Sequence, residues 1–327
     1  MAARRLPLLA VESDLQEEAQ RVMADSGEVV RDERLRLVLL CAHPSLPAEA
    51  AAALTLRLVL GVSTADIGRL FLVSTPTMAA RLTRARKSLA HERFEVPRGA
   101  ELDVRVRLAA DIAYLAFTAG YAPASGPDVV RTDLSAEAIR LVRVLRELLP
   151  EHTEIVALLA LVLLQHSRRD ARVRDGEVVL LAEQDRRLWH PDEVDEALEL
   201  LRPLTDAPAA PYLLQALIAA EHAIAPAAAN TDWTRIADRY RELEDLTGSP
   251  VVRLNRAVAV AEADGPLAGL ALVDGLDLPG HRLPGVRAEL LRRAGRYAEA
   301  RDELDRAIAA CDNDPERRHL ELRRSAL

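Results

Sequence analysis

Between Ala48 and His91 the apolar positions repeat at helical spacing in three consecutive stretches. In the first, about Ala48 to Leu60, Leu54 and Leu58 fall on one face, as residues four apart do on a helix. Gly61 follows, a residue that tolerates the left-handed conformation in which helices close. Ser63 is placed to cap a short second helix, and Asp66 to favour its positive end. Ile67, Leu70 and Phe71 form the apolar stripe of that helix. Leu72 and Val73 turn the chain, Ser74 or Thr75 caps a third helix, and Pro76 occupies its first turn, where a missing N–H costs nothing. Met78, Leu82, Ala85 and Leu89 then recur at i, i+4, i+7 and i+11 and predict an inward face. A rotation of about 100° per residue turns Ala80, Thr83, Arg84 and Lys87 outward, with Thr77 and Arg81 on one shoulder and Arg86 on the other.

A short helix, a tight turn and a second helix make a helix-turn-helix unit. Small and hydroxyl residues open its last helix, and Arg81, Arg84, Arg86 and Lys87 follow. That order suits the DNA major groove, with the first half near base edges and the cations near phosphates. An ordinary three-helix packing unit with a solvated basic face fits the same pattern, and periodicity does not choose between them.

The remaining pattern is also helical. Leu102 to Gly120, Ser135 to Leu149 and Thr153 to His166 predict helices, the last two an antiparallel pair joined at Pro150. Pro97, Arg98 and Gly99 mark a hinge, and Gly120, Tyr121, Pro123, Ser125, Gly126 and Pro127 a loop. Asp175-Gly176 between β-branched runs predicts a two-residue hairpin turn, the only β structure expected. In Val286 to Ala310, the residues Ala288, Leu291, Gly295, Tyr297, Ala300, Leu304 and Ala307 fall at tetratricopeptide-like offsets. Asn255 to Asp274 is a weaker copy around Gly265. Units of this kind bury their apolar faces only by stacking.

Composition narrows the picture. At 327 residues the chain allows two or three domains; half of it is apolar and only 3% aromatic, so the cores must be Leu, Val and Ala. The formal net charge of −8 is unevenly spread. Arg81, Arg84, Arg86, Lys87 and Arg93 face one acid, Glu92, whereas Asp192, Glu193, Asp195, Glu196 and Glu199 cluster further on. A basic module joined to an acidic helical body is the expectation. Two cysteines exclude a disulfide framework and point to a reducing compartment. No signal-peptide core and no apolar run near the ~20 residues of a membrane span are present, so the expected location is the cytoplasm, with no membrane partner.

Candidate chemistry is sparse. Cys41 and His43 lack the further ligands of a zinc site, and Asp312-Asn313-Asp314 lacks the glycine and glutamate of a calcium loop. His166 ends a helix, where a cation suits the dipole. No phosphate loop, nucleophile elbow or paired acid and base is found; Glu147, Glu151 and Glu154 fit solvated helix faces. No enzyme activity, cofactor or metal is expected.

The stretch RDERLRLVLLCAHPSL (Arg31 to Leu46), continuing through ALTLRLVLGVSTADIGRLFLVSTPTMAARLTRARKSL, resembles one group of bacterial sigma factors. These are the extracytoplasmic-function RNA polymerase sigma factors with a long helical, tetratricopeptide-like C-terminal extension. The resemblance runs on through AYLAFTAGY, LSAEAIRLVRVL, ALLALVLLQHSRRDAR, LLAEQDRRLW, PYLLQALIAAEHA, NTDW and SPVVRLNRAVAVAEADGPLAGLALVD. It implies an all-α chain: a linker over 1–30, a DNA-binding module of the sigma region 4 kind over 31–97, and a regulatory helical body over 98–327. It implies promoter DNA and RNA polymerase core as partners, and places upstream-element reading on Thr75, Thr77, Arg81, Arg84 and Lys87. A contact between the C-terminal body and the DNA-binding module is a further expectation. Members of that group begin with a further helical domain that binds the polymerase core and melts promoter DNA, and nothing in residues 1–30 matches it. Either the start is misassigned, or the chain is an N-terminally truncated copy, or it is a stand-alone remnant. The alternatives are a stand-alone DNA-binding regulator without sigma activity or a helical-repeat interaction scaffold.

Overall fold

A computed structural model of the chain describes residues 37–71, 73–90, 99–121 and 129–327. The expected linker over 1–30, Leu72 of the turn, Glu92 and Arg93, the hinge residues Pro97 and Arg98, and Pro123, Ser125, Gly126 and Pro127 of the loop lie outside the described residues. The described residues are helical with one two-stranded sheet, the all-α architecture with a single hairpin that the pattern predicts. They divide into two compact units, one holding the residues up to 120 with 132–155 and the other 121–131 with 156–327.

The first unit contains a helical stretch at 37–41, then α1 (Ala48–Val59), α2 (Thr64–Leu70), α3 (Thr75–Leu89), α4 (Ala100–Tyr121) and α5 (Thr132–Leu148). The expected domain limit at residue 97 does not coincide with its edge, since α4 and α5 belong to it almost entirely. Four successive alanines, Ala50 to Ala53, are buried in α1 together with Leu54, Leu56 and Val59. With side chains this small, neighbouring helices come close on more than one face. The buried Thr55 hydroxyl donates to the Ala51 carbonyl at 2.8 Å, so it leaves no polar group unpaired. On α5, Leu134, Ala138, Leu141, Val142 and Leu145 make the buried stripe, the i, i+4, i+7, i+8, i+11 spacing of an amphipathic helix. This helix starts three residues before the expected Ser135, because the Ser135 hydroxyl donates back to the Thr132 carbonyl at 3.0 Å inside the first turn instead of capping it.

The second unit takes α6 (Thr153–His166) from Val156 onward. Ile155 to Leu164 are all buried, as suits a helix that is apolar all round. The hairpin follows, β1 (Val173–Arg174) pairing antiparallel with β2 (Glu177–Val178). Asp175 at φ 55° and Gly176 at φ 79° are both left-handed, the requirement of the tight turn that Asp-Gly supplies. Two 3₁₀ turns, Leu181–Glu183 and Arg186–Leu188, then carry the chain to α7 (Pro191–Leu201).

From there the unit is a succession of helices: α8 (Pro211–Ile224), α9 (Trp233–Thr247), α10 (Pro250–Ala263), α11 (Pro266–Val273), α12 (Arg282–Arg293), α13 (Tyr297–Ala309) and α14 (Asp314–Ser325). From α8 on, each packs against the next along the chain, the local stacking of quasi-one-dimensional folds. Leu254, Ala257, Ala261, Val273, Leu283 and Leu290 form one apolar cluster, and Ala288, Leu304, Ala307, Cys311 and Leu320 the next. In this stretch Ala288, Leu291, Ala300, Leu304 and Ala307 are buried and Gly295 turns between α12 and α13, while Tyr297 is exposed. Asn313 caps α14, its Oδ1 accepting from the Glu316 N–H at 3.0 Å, so Asp312-Asn313-Asp314 is a helix start. No helix among the described residues is long and apolar enough to cross a membrane.

Gly269 on α11 sets the closest of these approaches. A Cβ there would lie 2.6 Å from the Ala257 carbonyl oxygen and 2.8 Å from the Ala261 Cβ, both on α10. Gly269→Ala is therefore expected to destabilise the protein by about 1–3 kcal/mol through overpacking, measured as a lowered Tm. An unchanged Tm would mean that α10 and α11 have room to separate.

Candidate nucleic-acid interface

The helix-turn-helix is built by four local devices. Gly61 closes α1 at φ 69°, and the Val62 N–H donates to the Leu56 carbonyl at 3.1 Å. The buried Arg57 reaches across the same turn, its Nη1 donating to the Val62 carbonyl at 3.1 Å. Ser63 then starts α2 reciprocally: its Oγ accepts from the Asp66 N–H at 3.1 Å and donates to the Asp66 carboxylate at 2.6 Å, a variant of the capping box. Gly68 makes the turn possible, because a Cβ at that position would lie 3.0 Å from the Val73 carbonyl oxygen. The Val73 N–H donates to the Gly68 carbonyl at 2.9 Å. Ser74 caps α3, accepting from the Thr77 N–H at 3.4 Å with the two hydroxyls 2.8 Å apart.

α3 turns its faces as its spacing predicts. Met78, Leu82, Ala85 and Leu89 are buried against α1 and α2, while Thr75, Thr77, Ala80, Thr83, Arg84 and Lys87 are exposed. Thr77, Ala80, Arg84 and Lys87 follow at i, i+3, i+7 and i+10 and make one outward stripe. From Thr77 to Arg84 is two turns, about 10 Å. Of the five residues singled out, the fold thus brings Thr77, Arg84 and Lys87 into one line. Arg81 flanks the line, with its side chain 24% exposed, and Nη1 donates to the Glu49 carboxylate on α1 at 2.9 Å. Thr75, two residues before Thr77, lies on the other side of the helix and is exposed because it stands at the end.

Arg84 and Lys87 form no ion pair among the described residues. Arg84 Nε rests on the Ala80 carbonyl of its own helix at 3.3 Å, which leaves the rest of its fork free. Arg86 and Lys87 stand in the last turn of α3, where cations also suit the helix dipole. The stripe can therefore place hydroxyls and a small side chain at one end and two cations at the other. Glu49 is the residue that spacing could not reveal, because it lies 32 positions from Arg81 and meets it only through packing.

The other candidate chemistry is satisfied internally. Cys41 is fully buried, and burial pushes its thiol up to about 12, against the reactivity of a ligand or nucleophile. His43 Nδ1 is 2.6 Å from the Ser45 hydroxyl. His166 is buried and meets the Glu193 carboxylate at 2.9 Å. Cys311 comes near His281 and Glu316, a grouping that spacing missed. There, His281 Nε2 already meets the Glu316 carboxylate at 2.7 Å, and the Cys311 thiol donates to the Asn313 carbonyl at 3.4 Å.

Comparison with known proteins bears on this geometry. Residues 36–89 match the family described as sigma-70, region 4, so the helix-turn-helix is sigma-factor-like, similar to modules that act in transcription with promoter DNA and RNA polymerase core. Residues 105–205 match a family of unknown function, DUF6596. The uncharacterized protein R00370 of Rhizobium meliloti (strain 1021) is 43% identical over 329 residues, covering 97% of this chain and 77% of the relative. No solved structure matches.

Because the Ser74 hydroxyl holds the first turn of α3, Ser74→Ala is expected to cost about 1 kcal/mol of stability. Thermal unfolding reads it, and no loss would show that Pro76 alone fixes the start of the helix.

Proposed function

The chain belongs to the same family as R00370 of Rhizobium meliloti, and on that premise we propose that it is an RNA polymerase sigma factor of the extracytoplasmic-function type. In this reading α3 lies in the major groove of the upstream promoter element. Thr77 and Ala80 face base edges, Arg84 takes a base or a phosphate, and Lys87 neutralises phosphate. Thr75 and Arg81 sit at its margins. The helical body over 98–327, with tetratricopeptide-like spacing around Gly265 and Gly295, regulates the module over 31–97. The observation that carries the reading is the outward stripe on α3, hydroxyl first and cationic last, whose Arg84 and Lys87 have no carboxylate partner among the described residues.

Arg81 has a graded role. An ion pair this exposed contributes only about 0.2–1 kcal/mol, so a phosphate can take the place of Glu49. The carboxylate holds the guanidinium beside the groove-facing stripe and competes with DNA for it. Glu49→Gln is accordingly expected to tighten DNA binding two- to fivefold, the factor corresponding to about 0.4–1 kcal/mol of released pairing. Weaker binding in that variant would assign Glu49 to holding α3 in place instead.

The proposal is tested by titrating a promoter fragment at several salt concentrations. Arg84→Ala is expected to weaken binding by about 1–3 kcal/mol if the side chain contacts a base. Lys87→Ala is expected to lower affinity evenly across sequences and to reduce the salt slope by about 1. Unchanged affinity and slope in both variants would remove α3 from the DNA.

A further inference from the structure

Most arginines of the second unit have a carboxylate. Arg169 meets Glu193 at 2.9 Å, Arg187 meets Asp185 at 2.7 Å, Arg239 meets Glu221 at 3.3 Å and Arg256 meets Glu244 at 3.1 Å. Four arginines of the stretch between α6 and α7 depart from this: Arg174, which is exposed, and three that are not. Arg168, Arg172 and Arg186 form no ion pair among the described residues, yet all three are only partly exposed.

Aromatic rings hold them instead. The Arg172 guanidinium lies 3.9 Å from the centre of the Tyr121 ring, and Arg168 donates to the Tyr121 hydroxyl at 2.7 Å. Arg168 and Arg186 both lie over the Trp189 ring, at 5.6 and 4.6 Å from its centre. Arg186 also donates to the His222 carbonyl at 2.5 Å. Tyr121 and Trp189 are buried, at 7% and 8% exposure. The indole N–H of Trp189 has no acceptor among the described residues and is closed to solvent, as is Nε of Arg172.

Among the described residues, three cations thus share two rings without an ion-paired carboxylate, and the nearest charge of opposite sign that registers is Glu316, whose carboxyl is held down in part by Arg172. The strain registers on neighbouring groups. Burial and the charge of Arg168 hold the Arg186 guanidinium below its ordinary range, and burial with the charges of Arg168 and Arg186 pushes His222 down to about 4. The carboxylates nearby are engaged elsewhere: Asp185 with Arg187, Asp170 with His190, Glu177 with Arg318 and Glu316 with His281. Cation–π contact offsets part of the cost of such burial, about 0.5–2 kcal/mol per ring, and like-charge repulsion remains. Unpaired buried charge is costly enough that proteins rarely keep it.

We propose that Arg168, Arg172 and Arg186, oriented by Tyr121 and Trp189, form a binding site for a small phosphoryl-bearing ligand. Each guanidinium turns one face toward a ring, so the N–H groups not already bonded to the Tyr121 hydroxyl or the His222 carbonyl are what remains for a ligand, and they match tetrahedral phosphoryl oxygens. Three forks exceed the two oxygens of a carboxylate, and a charge of about +3 suits a dianion or trianion. The rings are occupied by arginine and do not offer a base-stacking platform, so recognition rests on the phosphoryl group. The site falls inside the residues that match the family of unknown function and is independent of what α3 reads.

The test uses the full chain, with pyrophosphate as probe against sodium chloride of equal ionic strength. Trp189 and Trp233 are the only tryptophans, so Trp233→Phe isolates Trp189 emission. Expected are a saturable change in that emission and a rise in Tm of about 5 °C near saturation, with inorganic phosphate weaker. Arg168→Gln and Arg186→Gln should abolish both responses. Without pyrophosphate, Arg186→Gln should not lower Tm, because relief of repulsion offsets the lost stacking. Arg187→Gln, one residue away and exposed, should respond like the parent. Should the glutamine variants fail to fold, Arg186→Lys keeps the charge and loses the fork, and binding should weaken at least tenfold. The proposal is overturned if pyrophosphate acts no differently from chloride, or if the response survives in both glutamine variants or in Arg186→Lys. It is overturned as well if Arg186→Gln lowers Tm in the absence of anion, the signature of a purely structural stack.

Discussion

The structure depends on how closely its helices approach. With aromatic residues at 3%, few large side chains are available to fill space between elements. Dispersion and burial are then gained only where backbones come near enough for Ala, Val and Leu to touch. The alanines of α1, the Ala257–Ala261 face of α10 against Gly269, and Ala300 and Ala307 on α13 all serve that approach. Tight approach has a cost in tolerance, since a single methyl at Gly269 meets a carbonyl oxygen. The same constraint governs the functional module, where α2 and α3 can turn on each other only because Gly68 leaves room for the Val73 carbonyl. Placement of the α3 stripe therefore rests on small residues that touch no ligand.

Helical spacing made much of this legible in advance. Each helix whose buried face was marked by apolar residues three and four apart is present, and Asp175-Gly176 makes the one hairpin turn. The exposed and buried faces of α3 also follow from rotation alone, because a helix that packs by one stripe turns the others outward. Less legible were the parts that depend on packing between distant segments. Glu49 reaches Arg81 through the fold of α1 against α3, and no local spacing announces it. Thr75 belongs by sequence to the start of α3, yet rotation sets it apart from Thr77, Arg84 and Lys87. Ser135 marked the expected helix start and is an interior residue of the first turn, its hydroxyl donating to a carbonyl three residues back. Residues 180–189 carried no periodic signal because they form short 3₁₀ turns, too brief to show a face.

Charge follows a second rule that only the structure exposes. Lys87 is the sole lysine, so nearly every cation is an arginine whose planar fork seeks a carboxylate. Composition attributes no meaning to this excess. Pairing does: most guanidiniums of the second unit are bonded to Asp or Glu, which removes them from recognition and makes them part of the fold. The exceptions then stand out. Arg84 and Lys87 on α3, and Arg168, Arg172 and Arg186 around Trp189, are cations with unspent hydrogen-bonding capacity.

These two sets of free cations differ in environment, and that difference governs what each can bind. The α3 stripe is exposed, so its field is screened beyond about 8–10 Å at ordinary ionic strength. Such a surface gains most from a polyanion that supplies many phosphates at once, as duplex DNA does through counterion release. Around Trp189 the guanidiniums are partly buried and prepositioned on rings, so screening is weaker and little side-chain freedom remains to be lost. A few well-placed oxygens suffice there, where an exposed arginine would need a whole strand. The same residue type thereby supports long-range attraction at one place and compact recognition at the other, with burial, more than charge count, deciding between them.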